Sequence, residues 1–113
     1  MAKLKRYCGP YILEIDGGRY KEYCGPYKYE LNGKYLKQYC GPNIYEIDGN
    51  RIKQYCGQYL LEVNGKYVKR YCGPIIAEID GNRIKQYCGQ YLYEIDGFIS
   101  NAELMGLIAL LFA

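Results

Sequence analysis

The sequence contains no histidine, no tryptophan and no threonine, and Ser100 is its only serine. Histidine is the most frequent general base in enzymes, and serine and threonine hydroxyls are common nucleophiles. A chain that nearly lacks these side chains is missing the usual parts of an acid–base or acyl-transfer site. We therefore expect a protein that is not an enzyme, needs no cofactor and holds no metal.

Long apolar runs and one-sided charge are also lacking. The 15 basic and 12 acidic residues are spread along the chain, apart from a short basic cluster of Lys3, Lys5 and Arg6. Nucleic-acid-binding proteins usually concentrate basic residues on one face, so we expect no nucleic-acid partner. We see no apolar signal-peptide segment, and the C-terminal apolar run of about a dozen residues is too short to span a bilayer. These features predict a cytoplasmic protein with reduced thiols.

What the chain does contain is a tandem repeat of six 16-residue units that align without a gap. Every unit opens on Tyr-Cys-Gly and holds two runs of β-favouring residues. One run ends in Asp/Asn-Gly and the other in Cys-Gly, which predicts short strands joined by tight turns. We expect one repeat domain over residues 1–113, with an N-terminal arm or cap at 1–6, repeats at 7–98 and a capping helix at 99–113. The units begin at Tyr7, Tyr23, Tyr39, Tyr55, Tyr71 and Tyr87.

The first five units alternate at two positions beside the Asp/Asn-Gly turn. Odd-numbered units carry Asp and Arg, as in Asp48 and Arg51, and even-numbered units carry Asn and Tyr, as in Asn32 and Tyr35. If equivalent positions were stacked directly, identical charges would repel each other, and alternation would relieve that repulsion. The pattern therefore favours an all-β solenoid of about six coils, with one unit per coil. The alternative is an antiparallel β-meander of hairpin repeats, because Asp-Gly and Asn-Gly are strong hairpin turns.

Three apolar columns recur through the units. We expect the first two columns and the cysteines to face inward, because they contain no charge. The third column begins at Ile12 and is interrupted by Lys28. Strict alternation places Ile12 and Ile15 on opposite faces, so one side is exposed or the strand bends between them. The first column is Ile15, Leu31, Ile47, Val63, Ile79 and Ile95, and the second is Tyr20, Leu36, Ile52, Val68 and Ile84.

The repeated Cys, Glu and Tyr positions each have a structural and a chemical interpretation. The cysteines lie 16 residues apart, unlike the short C-x₂-C spacing of zinc sites. We expect a ladder of small buried thiols, with disulfides or a metal or redox site as alternatives. We expect the invariant Glu column to face solvent beside a Lys column. The Tyr columns leave open a sugar- or ligand-binding surface.

The C-terminal segment predicts a helix. Ser100 and Glu103 have the spacing of a capping box, which starts a helix at about Asn101. This helix is apolar nearly all round, so one face is expected to cover the last coil and another to form a contact between copies. We expect self-association, as a homodimer or end to end, through Leu104, Leu107, Ile108, Leu111 and Phe112.

Residues 44–53 read Ile-Tyr-Glu-Ile-Asp-Gly-Asn-Arg-Ile-Lys, and variants of this pattern cover residues 7–97. The pattern resembles uncharacterised bacterial tandem-repeat proteins with units of the form Y-x-Y-E-x-D-G-x-x-I-K that end in a short apolar segment. The resemblance implies a β-repeat fold and brings no activity or catalytic residue. The regularity also fits a consensus-designed or recently duplicated array. We expect a structural or interaction scaffold, with a glycan- or small-ligand-binding module as the alternative.

Overall fold

A computed structural model describes residues 2–113 of the chain. These residues form twelve strands and one helix, α1 (Asn101–Phe112). Each strand pairs with the next, and β12 pairs with β1, so that an antiparallel sheet closes into a barrel. The predicted all-β class with a C-terminal helix is confirmed. The strands are β1 (Ala2–Arg6), β2 (Tyr11–Asp16), β3 (Arg19–Glu22), β4 (Tyr27–Asn32), β5 (Tyr35–Gln38), β6 (Asn43–Asp48), β7 (Arg51–Gln54), β8 (Tyr59–Asn64), β9 (Tyr67–Arg70), β10 (Ile75–Asp80), β11 (Arg83–Gln86) and β12 (Tyr91–Gly97).

The units do not stack as the coils of a solenoid, so that prediction is wrong. Each of the first five units forms an antiparallel hairpin, and equivalent positions of neighbouring units lie two strands apart around the barrel. The chain adopts the alternative, a meander of hairpins, and the first and last strands of this meander pair with each other. The turns supply the reason: Gly17 and its equivalents at the first central turn position have φ between 60° and 65°. A positive φ at this position is typical of the tight turns that join antiparallel strands.

The N-terminal residues complete the last unit. The sixth unit has its first strand in β12 but no second strand, because the chain leaves the sheet at Gly97 and continues into α1. β1 takes the missing place, with Leu4 opposite Ile95. The equivalent pair inside the fifth unit is Ile79 and Ile84. Residues expected to form an arm therefore form a strand that closes the barrel.

The first two apolar columns line the barrel interior as cross-strand pairs, which confirms their predicted direction. The members of the second column have no exposed surface, and those of the first are buried or partly buried. Cross-strand apolar pairs of this kind stabilise a sheet and are continuous around the ring. The pairs are Ile15–Tyr20, Leu31–Leu36, Ile47–Ile52, Val63–Val68, Ile79–Ile84 and Ile95–Leu4.

The third column lies at a β-bulge between neighbouring units. Tyr20 pairs with Tyr29 and Lys21 with Tyr27, so Lys28 is an extra residue without a partner in the ladder. The bulge places Tyr27 on the outer wall and Tyr29 on the inner one, although only Lys28 separates them and a regular strand would place both on one face. The expected bend in the strand is confirmed, and it explains why a lysine is tolerated in an otherwise apolar column. The equivalent bulges are at Ile12, Ile44, Leu60, Ile76 and Leu92.

Helix α1 lies inside the barrel rather than across its end. The five consecutive residues 105–109 are buried, and five residues make more than one full turn, so the barrel surrounds the helix on all sides. Twelve residues of helix are about 18 Å long. The shortest dimension of the molecule is 17 Å. We infer that α1 runs from one rim of the barrel to the other and fills an interior too wide for wall side chains alone.

The predicted capping box at the start of α1 is confirmed. Ser100 Oγ accepts a hydrogen bond from the Glu103 N–H at 3.2 Å, and Glu103 Oε1 accepts one from the Ser100 N–H at 3.1 Å. Glu103 Oε2 also accepts the Gly18 N–H at 2.8 Å. Burial alone would raise the pKa of Glu103, but the hydrogen bonds from Ser100 and Gly18 outweigh it and lower that pKa. Glu103 thus joins the helix to the barrel rim as a carboxylate.

Two departures from the repeat contact the helix, and a third lies in the buried core. Gly18 is the one glycine at its turn position, where the next four units have Lys or Asn. Tyr20 is the one tyrosine in its column, and its hydroxyl donates to the Glu103 carbonyl at 2.6 Å. Ala77 is fully buried at a position where other units have Leu or Tyr. A single helix inside a ring of similar units therefore requires that some units differ.

Gly106 lies where the Tyr20 ring crosses the helix. A Cβ at position 106 would overlap Tyr20 Oη and lie 3.3 Å from Leu31 Cδ2. Gly106→Ala should therefore lower the free energy of unfolding by about 1–3 kcal/mol through overpacking. Alanine is otherwise the better helix former, by about 1 kcal/mol. Urea unfolding followed by circular dichroism measures the difference.

The matched control is the same substitution in a Tyr20→Leu background, which installs the residue type of Leu36. Without the tyrosine ring, Gly106→Ala should leave stability unchanged or increase it, because mainly the helix propensity remains. An equal penalty in both backgrounds would show that Tyr20 does not pack on Gly106.

Candidate functional site

The two rims of the barrel differ in chemistry. We call the rim formed by the Asp/Asn-Gly turns and Gly97 the Asp-Gly rim, and the rim formed by the six Tyr-Cys-Gly turns the Cys-Gly rim. Because Glu103 contacts Gly18, α1 enters at the Asp-Gly rim, and its last residues reach the Cys-Gly rim. One rim therefore carries Asp, Asn, Arg and Lys. The other carries thiols, phenols and the apolar end of the helix.

Exposed tyrosines start at the Cys-Gly turns, and their rings lie on the adjoining outer wall. Six exposed tyrosines directly precede the six cysteines, and Tyr27 joins them through a ring contact of 5.2 Å with Tyr39. Tyr55 and Tyr87 are the most exposed, at 45%. Exposed aromatic surface often marks an interaction site, and tyrosine is enriched at such sites. The exposed tyrosines are Tyr7, Tyr23, Tyr27, Tyr39, Tyr55, Tyr71 and Tyr87.

On the outer wall, arginines and tyrosines connect neighbouring units. The Arg51 guanidinium lies 5.7 Å from the ring centroid of Tyr59 and 5.6 Å from that of Tyr71. The Tyr59 hydroxyl donates to Asp48 at 2.8 Å, and this hydrogen bond raises the pKa of Tyr59. Such contacts stabilise the pairing of hairpins from the outside. The same arrangement recurs at Asp80, Arg83, Tyr91 and Tyr7.

These contacts explain the alternation between odd and even units. An Arg is followed in the next unit by a Tyr that packs on it, as Arg51 is by Tyr59. In an even unit Tyr35 replaces the Arg, and the next unit has the smaller Asn43 opposite Lys37. Tyr35 then lies edge-on to Tyr55, with ring centroids 5.6 Å apart. The alternation therefore reflects side-by-side packing of hairpins, and its predicted origin in stacked coils is wrong.

The invariant glutamates form a ladder of ion pairs with the lysine column, as predicted. Glu14 lies opposite Lys21 in the sheet, and their charged atoms are 3.6 Å apart. Glu30 is shared between Arg19 at 3.3 Å and Lys37 at 4.0 Å. Exposed pairs of this kind contribute little individually, but Glu30, Glu62 and Glu94 each pair with residues of both neighbouring strands. The ladder thus maintains the register between hairpins.

The six cysteines are exposed, so the predicted column of buried thiols is wrong. Each lies in a turn rather than in the ladder: the Gly9 N–H donates to the Arg6 carbonyl at 2.9 Å, which makes Tyr7 and Cys8 the central residues. The φ angles of the six cysteines are between 55° and 57°. A positive φ at the second central residue is usually supplied by Gly or Asn. The backbone conformation therefore determines where the thiols lie.

A metal site and a small-molecule pocket are less well supported than an interaction surface. Within the described residues, 2–113, no three Cys, Asp or Glu side chains are grouped so as to hold one metal ion. A half-open cavity of about 250 Å³ lies beside the β1–β12 seam, where Lys5 and Glu94 pair at 3.8 Å. Typical small-molecule pockets have roughly 300–1,000 Å³. The Cys-Gly rim is therefore the candidate functional surface.

The residues predicted to mediate self-association are divided between the interior and the rims. Leu107 and Ile108 have no exposed surface. Leu104, Leu111 and Phe112 are partly exposed, with Leu104 near the Asp-Gly end of α1 and the other two near its Cys-Gly end. The sequence pattern predicted the exposed tyrosines only as a ligand-binding surface. The sequence does contain a signal for these exposed turns, which is the Gly after each Cys. A Cβ at Gly57 would lie 2.9 Å from Gln54 Cβ, so the glycine at this position indicates a tight turn.

Cys56→Gly tests whether the thiol contributes to folding. Because glycine adopts the left-handed conformation without steric cost, this variant should be as stable as the native chain or up to about 1 kcal/mol more stable. Cys56→Val is the matched control and should destabilise by about 1 kcal/mol or more, since a β-branched residue tolerates positive φ poorly. Thermal and urea unfolding measure both. A clear loss of stability in Cys56→Gly would show that the side chain itself supports the turn.

In comparisons with known proteins, no family model, no curated protein and no solved structure matches the chain. Over the part of the chain that the structure describes, no helix has the length and apolar character needed to cross a bilayer.

Proposed function

We propose that the chain is a structural or interaction scaffold that associates with itself end to end through the Cys-Gly rim. The observation that carries this proposal is a ring of seven exposed tyrosines whose backbones lie at or next to the Cys-Gly turns, together with the partly exposed Leu111 and Phe112 near the same rim. Large exposed hydrophobic residues elsewhere are few, with Phe98 beside the Asp-Gly rim at 84%. A one-sided surface of this kind favours a partner that covers the whole rim.

The size of the rim fits a second copy of the chain. The two long dimensions of the molecule are 37 and 34 Å. An ellipse with these axes covers about 1,000 Å², and a standard interface buries about 800 Å² on each partner. Tyrosine contributes large contact area at low entropic cost, and the partly exposed Leu111 and Phe112 add apolar surface near the centre. One rim is therefore large enough for a stable dimer.

Charges at the rim also suit a contact between identical surfaces. The residues before the six tyrosines include both signs, with arginines at Arg6 and Arg70 and a glutamate at Glu22, and three glutamines. When two such rims meet about a two-fold axis, basic and acidic residues of different copies can be paired. We place this assembly in the cytoplasm, where exposed thiols normally remain reduced.

Sedimentation velocity in reducing buffer tests the proposal. The native chain should dimerise, and the triple variant Tyr39→Ser, Tyr55→Ser and Tyr71→Ser should dimerise at least about tenfold more weakly, because it removes aromatic contact area. Phe98→Ser, at the opposite rim, is the matched control and should dimerise like the native chain. Circular dichroism verifies that each variant is folded. A native chain that stays monomeric at ~100 μM would contradict the proposal, because that exceeds a micromolar Kd by far.

The alternative function is a glycan- or small-ligand-binding module. Tyr55 and Tyr87 are the most exposed rings, and each contacts its partner ring edge-on at an interplanar angle of 79°. The ring of Tyr23, in contrast, is stacked on Tyr11 at 5.0 Å. Glycan binding that is lost in Tyr55→Ala and retained in Tyr23→Ala would favour this alternative.

A further inference from the structure

The six cysteines occupy a backbone conformation that disfavours any side chain. All six have φ between 55° and 57°, and all six thiols are free and exposed. Glycine or asparagine is the usual residue at such a position, and neither occurs there in any unit. A strained conformation that recurs without a packing reason indicates a role for the side chain outside the fold. We therefore considered which reaction these sulfurs can undergo.

Sulfurs of one copy are poorly placed to react with each other. Successive Cys-Gly turns are separated by two strands, or about 9–10 Å around the rim. A disulfide requires Cα atoms within about 7 Å, so a bond between neighbouring turns would distort the barrel wall. Within residues 2–113 there is also no group of three metal-binding side chains. The partner sulfur must therefore come from another molecule.

We propose that the ring of Cys8, Cys24, Cys40, Cys56, Cys72 and Cys88 is a site for intermolecular disulfides with the same ring of a second copy. This inference rests on the rim-to-rim association proposed above. Because both rings have the same repeat spacing, one face-to-face contact brings several sulfurs opposite each other. After the first bond has formed, the others form within one complex, at a much higher effective concentration.

The reaction needs an oxidant, which a reducing cytoplasm supplies only under oxidative conditions, and a small disulfide such as oxidised glutathione is then sufficient. A cysteine thiolate of one copy attacks a sulfur of the small disulfide, which forms a mixed disulfide and releases one small thiolate. A thiolate of the second copy then attacks the cysteine sulfur of that mixed disulfide. The bond between the copies forms, and the second small thiolate leaves. Two protein thiols and one small disulfide thus give one protein disulfide and two small thiols.

The exposed tyrosines beside each thiol support the selectivity of this site. Each cysteine follows an exposed tyrosine, and the Coulombic effect of Cys88, together with a hydrogen bond between the two side chains, raises the pKa of the neighbouring Tyr87. The thiols therefore lie beside the exposed tyrosines, at the rim that a second copy would cover in the proposed dimer. Contact of the rims and sulfur exchange would thus occur at the same surface.

The test compares two proteins with a single cysteine. In the first, five cysteines are replaced by serine and Cys56 is kept. In the second, all six are replaced and Asn50→Cys puts an exposed thiol on the Asp-Gly rim. Both are incubated with oxidised glutathione and analysed on non-reducing gels. We expect the Cys56 protein to form covalent dimers at least tenfold faster than the Asn50→Cys protein. In the native chain, mass spectrometry should find disulfides between copies and not within one.

Any of three outcomes would overturn the inference. These are equal rates of covalent dimerisation for the two proteins, formation of mixed disulfides with glutathione only, and disulfides within one native chain. Sedimentation in reducing buffer distinguishes this failure from failure of the scaffold proposal. A reversible dimer whose thiols do not form bonds would leave the scaffold intact and refute the disulfide site. A chain that neither dimerises nor forms covalent bonds would refute both. Circular dichroism of the single-cysteine proteins must match the native spectrum, and we expect that it does, because serine has nearly the same size and shape as cysteine.

Discussion

The burial of α1 inside the barrel is the constraint on which the rest of the structure depends. Twelve strands enclose a space wider than their own side chains fill, and an empty apolar interior would be unstable. Residues 105–109 fill that space on all sides of the helix. Glu103 joins the helix to Gly18, and Tyr20 joins its first turn to the wall, so the helix has one position. The repeat supplies the ring, and its few irregular positions accommodate the single helix.

Tight turns, inward columns and the start of the helix follow from local rules, and the sequence is sufficient to predict them. Asp-Gly and Asn-Gly turns, uncharged columns at fixed spacing and the Ser100–Glu103 capping box depend on neighbouring residues only. Closure of the barrel is different, because a 16-residue period is compatible with one coil or one hairpin. The sequence signal for closure lies at the β1–β12 seam. Lys3-Leu4-Lys5 before Tyr7 matches Arg83-Ile84-Lys85 before Tyr87. That match means that the two ends of the chain share one unit.

The candidate site was harder to predict because the hydrophobicity of cysteine indicates burial, whereas the backbone conformation of the turns exposes it. Cysteine is a small and usually buried residue, so an uncharged Cys column suggests the core. The left-handed turn places every thiol at the rim instead, beside tyrosines that are also exposed. The alternation of Arg and Tyr was visible in the sequence, but its cause was not, since it depends on which strands are neighbours. One rim thus combines aromatic area, mixed charge and repeated thiols, and this combination underlies the proposed scaffold.

Native-state hydrogen exchange of α1 is the most direct test that the helix fills the barrel. If it does, the amides of Leu107, Ile108 and Ala109 can exchange only when the whole barrel opens. Their opening free energy should then equal the global free energy of unfolding measured with urea. Exchange of these amides at a much lower free energy, as in a helix attached to the outside of the sheet, would contradict the account.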